Sequence, residues 1–150
     1  MYQESLTRDE QRERMAAFLA HQRTAVISAI AGQGLWSMPV WYRPAWRDAA
    51  DRALEVDCLV PRWADGAHRL SQNAEVLLIV QAPSAAGLRW AQIRGTASPV
   101  EAPDWAGLLP RWVPTVQPDE LYLVVRLAPS RIDLIDEDRA WGVQETLEWC

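Results

Sequence analysis

The sequence predicts a mainly β protein: a split barrel of six to seven mostly antiparallel strands with flanking helices. Three observations carry this. Short apolar runs recur along the chain, several of them alternating with period two. Their connections are brief and marked by Gly, Pro, Asn, Asp and Ser. Only the N-terminal stretch has the caps and spacing of a longer helix. At 150 residues the chain fits one domain, 1–150, and a hydrophobic fraction of 49% is ample for its core.

Thr7-Arg8-Asp9-Glu10 is a capping box, with Thr7 as N-cap and Glu10 at the third helical position. The helix runs to about His21, with Met15, Phe18 and Leu19 as its apolar stripe and Arg8, Arg12 and Arg14 on its wet side. His21 suits the negative end of the helix dipole and is read as a structural surface residue. The β-branched run Thr24–Ala31 turns through Gly32-Gln33-Gly34 into 35–42, which is a hairpin signal. Pro39 places its strand at an edge or a bulge. Residues 43–51 read as a long turn. Residues 53–60 read as a strand with one wet face, because Leu54, Val56 and Cys58 alternate with Glu55 and Asp57.

Residues 61–66 read as a loop and 67–72 as a short helix. Residues 75–80 are apolar enough for a strand covered on both faces. After a turn at 83–87, residues 88–97 alternate, with Ala91 and Ile93 on one side and Trp90, Gln92 and Arg94 on the other. A short amphipathic stretch, 103–112, turns Leu108 and Leu109 inward. Two strands, 120–127 and 131–135, flank Ala128-Pro129-Ser130, and 138–150 ends in a helical turn.

Composition excludes several functions. A net charge of −5 argues against a general nucleic-acid binder, which needs a basic face. All 15 basic residues are arginine, so neither a Schiff-base lysine nor a Lys-dependent phosphate loop can form. No apolar run approaches the roughly 20 residues that span a bilayer, and the N-terminus lacks a secretory pattern. The expectation is a cytoplasmic protein with no membrane partner. Two cysteines are too few for a disulfide framework, and Cys58 reads as a small buried hydrophobe. HExxH, Cys-x-x-Cys, GxSxG and GxGxxG are all absent from the sequence, and two histidines do not make a zinc site. Asp136, Glu137 and Asp138 read as a solvated turn. If chemistry occurs, a cofactor carries it.

Nine tryptophans are available for packing or for sandwiching a flat ligand. Trp41, Trp63, Trp90 and Trp141 lie nearest predicted strand ends or loops.

The order Leu35-Trp36-Ser37-Met38-Pro39-Val40-Trp41-Tyr42, then His68-Arg69-Leu70-Ser71-Gln72-Asn73-Ala74-Glu75-Val76, then Trp90-Ala91-Gln92-Ile93-Arg94-Gly95-Thr96-Ala97 resembles the pyridoxamine 5'-phosphate oxidase-like split-barrel family of flavin-binding proteins. The resemblance spans about 18–142. Leu70-Ser71-Gln72-Asn73-Ala74 is similar to the family's Leu-x-x-Asn-Pro, with Ala74 in place of proline. Residues 123–135 resemble its late hairpin with a Pro-Ser-Arg turn, and Ala140-Trp141-Gly142 follows as in many members.

The resemblance implies a homodimer binding flavin mononucleotide (FMN) at the subunit interface, and an oxidoreductase acting on a small molecule. It implies that Met38, Pro39, Val40, Trp41 and Val60 line the ring slot. Trp90 and Gln92 would face the site from the next strand or across the dimer. The family's Ser/Thr-x-Lys phosphate grip falls on Ala64-Asp65-Gly66, which offers no hydroxyl, no cation and one carboxylate. The residues placed to compensate are Arg62, His68 and Arg69, with the backbone N–H groups of Gly66 and Ala67. Two alternatives stand beside the flavoenzyme: a flavin-free binding or interaction protein, or a relative using deazaflavin or haem. Only His21 and His68 could ligate haem iron. Pyridoxamine-phosphate oxidase activity itself is not implied, because the family enzyme's C-terminal Arg/His elements have no counterpart.

Overall fold

Thr7 opens the first helix as its capping pattern requires: its hydroxyl accepts the Glu10 N–H at 3.2 Å. The structure, a computed structural model, describes residues 7–31, 34–46, 53–71, 74–84, 87–110, 117–138 and 141–149. The helix, α1 (Arg8–His21), buries Met15, Phe18 and Leu19. His21 is exposed, and its Nδ1 donates to the Ala17 carbonyl at 2.6 Å.

Seven strands follow: β1 (Thr24–Ala31), β2 (Gly34–Pro44), β3 (Val56–Pro61), β4 (Ala74–Gln81), β5 (Arg89–Pro99), β6 (Tyr122–Asp136) and β7 (Gln144–Glu148). Three one-turn helices lie between them: α2 (Ala67–Leu70), α3 (Trp105–Leu108) and α4 (Pro118–Leu121). The sheet order is β3-β2-β1-β4-β5-β6-β7, all antiparallel, and β3 also pairs with β6. That extra ladder closes six strands into a barrel and leaves β7 as an added edge strand on β6. Its interior holds Ile27, Val40, Cys58, Val60, Leu78, Ile93, Val125, Leu127 and Ile132, each at most 4% exposed. No helix among the described residues is long and apolar enough to cross a membrane.

The β1–β2 hairpin has the expected register, Thr24↔Trp41 through Ala31↔Gly34. Its turn, Gly32-Gln33, lies outside the described residues, as do 47–52 of the long turn and Gln72-Asn73. Five expectations change. First, β3 has no wet face. Val56 through Val60 are all buried, because Asp57 is covered and held by Arg126 through Nε–Oδ1 at 2.8 Å and Nη2–Oδ2 at 3.1 Å. Second, β4 is covered on one face only, with Val76, Leu78 and Val80 buried and Leu77 and Ile79 half-exposed.

Third, residues 122–136 are one strand rather than a hairpin. Pro129 is tolerated in mid-strand because it sits opposite a bulge where the β5–β6 register shifts between Arg94 and Gly95. A Cβ on Gly95 would lie 2.2 Å from the Ala128 carbonyl oxygen, so glycine is required there. Fourth, 138–150 ends in β7 instead of a helical turn. Asp133 accepts Thr146 Oγ1 at 2.6 Å and Gln144 Nε2 at 3.0 Å, and Leu147 is buried. Fifth, α3 buries none of its residues, and Leu108 and Leu109 are only half-buried.

Candidate functional site

The barrel is split where β2 and β3 part. Their ladder covers only Trp41↔Leu59 to Pro44↔Val56, so 34–40 of β2 pair with β1 alone. Pro39 stands on this free edge, where it has no N–H to leave unpaired. Opposite that edge run the end of β3, the loop 62–66 and Tyr122 at the start of β6. Between them lies a groove of about 490 Å³, lined by Trp36, Met38, Pro39, Val40, Trp41, Leu59, Pro61, Trp63, Ala64, Asp65 and Tyr122. Its walls are mostly apolar and aromatic. Asp65 is the one charged lining residue among those described.

Met38, Pro39, Val40 and Trp41 therefore line this groove, together with Ala64 and Asp65. Val60 does not: it is 0% exposed and points into the core. Trp90 and Gln92 lie on the outer face of β5. Gln92 shares a transverse row with Pro39 through Pro39↔Val26, Val26↔Ile79 and Ile79↔Gln92. Three strand spacings, about 14 Å, separate the ends of that row, so Gln92 does not reach the groove of its own chain.

Among the described residues, the loop brings no basic side chain into the groove. A Cβ on Gly66 would lie 1.9 Å from the Trp36 ring, so the indole fills the space where a side chain at 66 would begin. The Ala67 N–H donates to the Ala64 carbonyl at 3.0 Å and is not free for an anion. Arg62 is exposed and outside the lining, with Nε donating to the Asp119 carbonyl at 2.6 Å. His68 is exposed and not part of the lining; the Arg69 side chain lies outside the described residues.

A second cleft, of about 700 Å³, shares one lining residue, Trp41, with the first. Arg23, Arg43, Pro44 and residues 106–110 are among its other lining residues. Sequence reasoning missed Trp36, Tyr122, Arg23 and Arg43. The only signal for Arg43 was its place two residues after Trp41 on one strand, which puts both on one face. Trp36 and Tyr122 reach the groove through contacts distant in sequence.

Neither buried titratable group nearby is a reactive one. Burial, then the neighbouring Asp57 charge, pushes the Cys58 thiol up to about 12. Tyr42 is raised well above the usual phenol range by burial and then by Cys58, and its hydroxyl donates to the Leu19 carbonyl at 2.5 Å. Among the described residues no cluster of His, Cys, Asp and Glu could hold a metal ion. Among the described lining residues, Asp65 and Tyr122 are the titratable ones, set in mostly apolar and aromatic walls.

No protein-family model and no curated protein matches the sequence. Solved structures do match. The haem-binding protein from Mycobacterium smegmatis is similar at a TM-score of 0.65 and 13% identity, over 97% of this chain and 60% of that one. General stress protein 26 from Bacillus anthracis is similar at 0.64 and 19%, over 92% and 98%. A protein from Clostridium acetobutylicum related to general stress protein 26, of the pyridoxinephosphate oxidase family, is similar at 0.65 and 10%, over 95% and 96%. Identities this low speak for the fold, and with the six-strand closure and the opening beside Pro39 they establish it: this chain has the split-barrel fold that it shares with these proteins.

Proposed function

We propose that the protein binds a flat aromatic heterocycle of the flavin class in the groove between β2 and the loop 62–66. One observation carries the reading: Trp36, Trp41, Trp63 and Tyr122 converge on a single slot at the split of the barrel. Aromatic and apolar walls suit an isoalloxazine. The fold agrees, since split barrels of this type include flavin-binding members. When bound, a flavin would supply hydride or electron transfer. The chain's own part is to seat the ring and to keep water from its face.

The residues fit the ring and not the phosphate in its usual place. Trp36 stands on Gly66, and Asp65 would repel a phosphate there. FMN binding through the loop 62–66 is therefore not supported. The same facts favour a second reading, a flavin-free binding protein using the groove for another flat ligand. The haem of the similar mycobacterial protein offers one example of such a ring.

Dimerisation belongs to the proposal. The outer face of β1, β2, β4 and β5 carries Val26 at 39% exposure beside Pro39, Ile79 and Gln92. A second copy on this face would bring Trp90 and Gln92 toward the partner's groove. The test is a titration of the purified chain with riboflavin, followed by quenching of tryptophan and flavin fluorescence. Saturable quenching that weakens in Trp41→Ala supports the slot; no quenching at any concentration rejects it.

A further inference from the structure

We infer that Arg23 and Arg43 form the anion end of the ligand groove. A ligand carrying a flat ring and a phosphate monoester lies with its ring beside Trp41 and its phosphate turned away from the loop 62–66. The inference rests on the ring-binding reading and names the ligand class and its direction.

The argument begins with charge. Among the described residues, the first cleft holds one charged lining residue, a carboxylate, at the loop end. The second cleft, sharing Trp41 with the first, holds two guanidinium groups. An anionic tail is repelled at one end and attracted at the other, by amounts that grow as water leaves the cleft. Arginine stays charged throughout the accessible pH range and grips phosphate oxygens with two parallel donors.

Both groups are uncommitted. Among the described residues, neither Arg23 nor Arg43 makes an ion pair or a side-chain hydrogen bond. Elsewhere Arg14 holds Glu145, Arg89 holds Asp136 and Arg131 holds Asp133. The freedom of Arg43 has a structural cause. The register sets Asp57 opposite it, yet both oxygens of Asp57 are taken by Arg126. Asp104 stands nearby, with Oδ2 at 3.0 Å from the position of a Cβ on Gly107, but forms no ion pair with Arg43. The Arg43 Nη1 itself lies 1.5 Å from that position, so the guanidinium rests against Gly107 at the wall of the cleft.

The experiment compares FMN with riboflavin, which differ by the phosphate, on the full chain at low salt, reading tryptophan and flavin fluorescence. FMN is expected to bind about tenfold more tightly than riboflavin, the scale of a charged hydrogen-bonded contact. The double variant Arg23→Gln/Arg43→Gln should lose this preference and keep its riboflavin affinity, which also shows that it folds. Asp65→Asn should leave the preference in place. Equal binding of the two flavins by the unaltered chain overturns the anion end and leaves the ring reading intact. So does a preference that survives the double variant, or one that appears only in Asp65→Asn. Failure of both flavins to bind removes the ring reading, and this inference with it.

Discussion

At the scale of the residue, Gly66 and Trp36 decide what the loop can hold. Restoring a cation at that position does not restore a grip, because the first carbon of any side chain would meet the indole at 1.9 Å. Gly66→Lys is expected to destabilise the fold by about 1–3 kcal/mol, the usual cost of overpacking, with no gain in FMN affinity. Urea denaturation beside an FMN titration measures both. Cys58 gives a second prediction. Its thiol titrates near 12 in the folded protein against 9.0 in an unstructured chain. Above pH 9 the unfolded state therefore releases a proton that the folded state keeps, and stability falls as pH rises toward 12. Tyr42, also raised, acts in the same direction at higher pH. Stability measured from pH 8 to 10.5 should decline less steeply in Cys58→Ala, by up to about 1.4 kcal/mol per pH unit. Equal slopes would show that Cys58 ionises in the folded state as readily as in the unfolded one.

At the scale of the element, one buried carboxylate ties β7 to β6 beside their backbone ladder. Asp133 is 8% exposed and accepts from Arg131 on its own strand and from Gln144 and Thr146 on β7. Burial pushes its pKa up, but the bonds from Arg131, Thr146 and Gln144 outweigh that and hold it below the ordinary value. The stability it contributes is present above that ordinary value and is lost as pH falls through the folded pKa. Asp133→Ala leaves three donors without their acceptor and should cost about 1–3 kcal/mol. Hydrogen exchange should quicken first in 144–148, ahead of the β5–β6 ladder. Uniform loss of protection across the barrel would mean that Asp133 holds more than β7. The long strand β6 shows the same dependence on context. Its Pro-Ser step looks like a turn in isolation, and it continues as strand because Gly95 yields space across the ladder.

At the scale of the whole molecule, the barrel closes through β3 and β6, and its outer sheet is left with an apolar row. A solution mass near twice the 17.0 kDa chain is expected by light scattering at micromolar concentration. Val26→Arg, at the centre of Pro39, Val26 and Ile79, should give a folded monomer, since an unpaired charge in an apolar interface costs several kcal/mol. A monomeric unaltered chain would place each groove within one subunit and leave Trp90 and Gln92 outside it.

Much of this was legible from residues close in sequence. The capping box of Thr7 and Glu10, the β1–β2 hairpin, the alternation of Ala91 and Ile93 against Trp90 and Gln92, and the burial of Cys58 follow from local chemistry. The absence of lysine and the Ala64-Asp65-Gly66 loop also stand in the sequence alone. They determined that a conventional phosphate grip is missing. What only the tertiary structure decided involves partners far apart in the chain. Trp36 sits on Gly66, Tyr122 closes the groove, and Arg126 takes Asp57 and frees Arg43, which rests against Gly107. The physical reason is that burial and pairing are set by strand register across the closed barrel. No local pattern encodes which of several arginines finds the buried Asp57, or which is left facing the cleft.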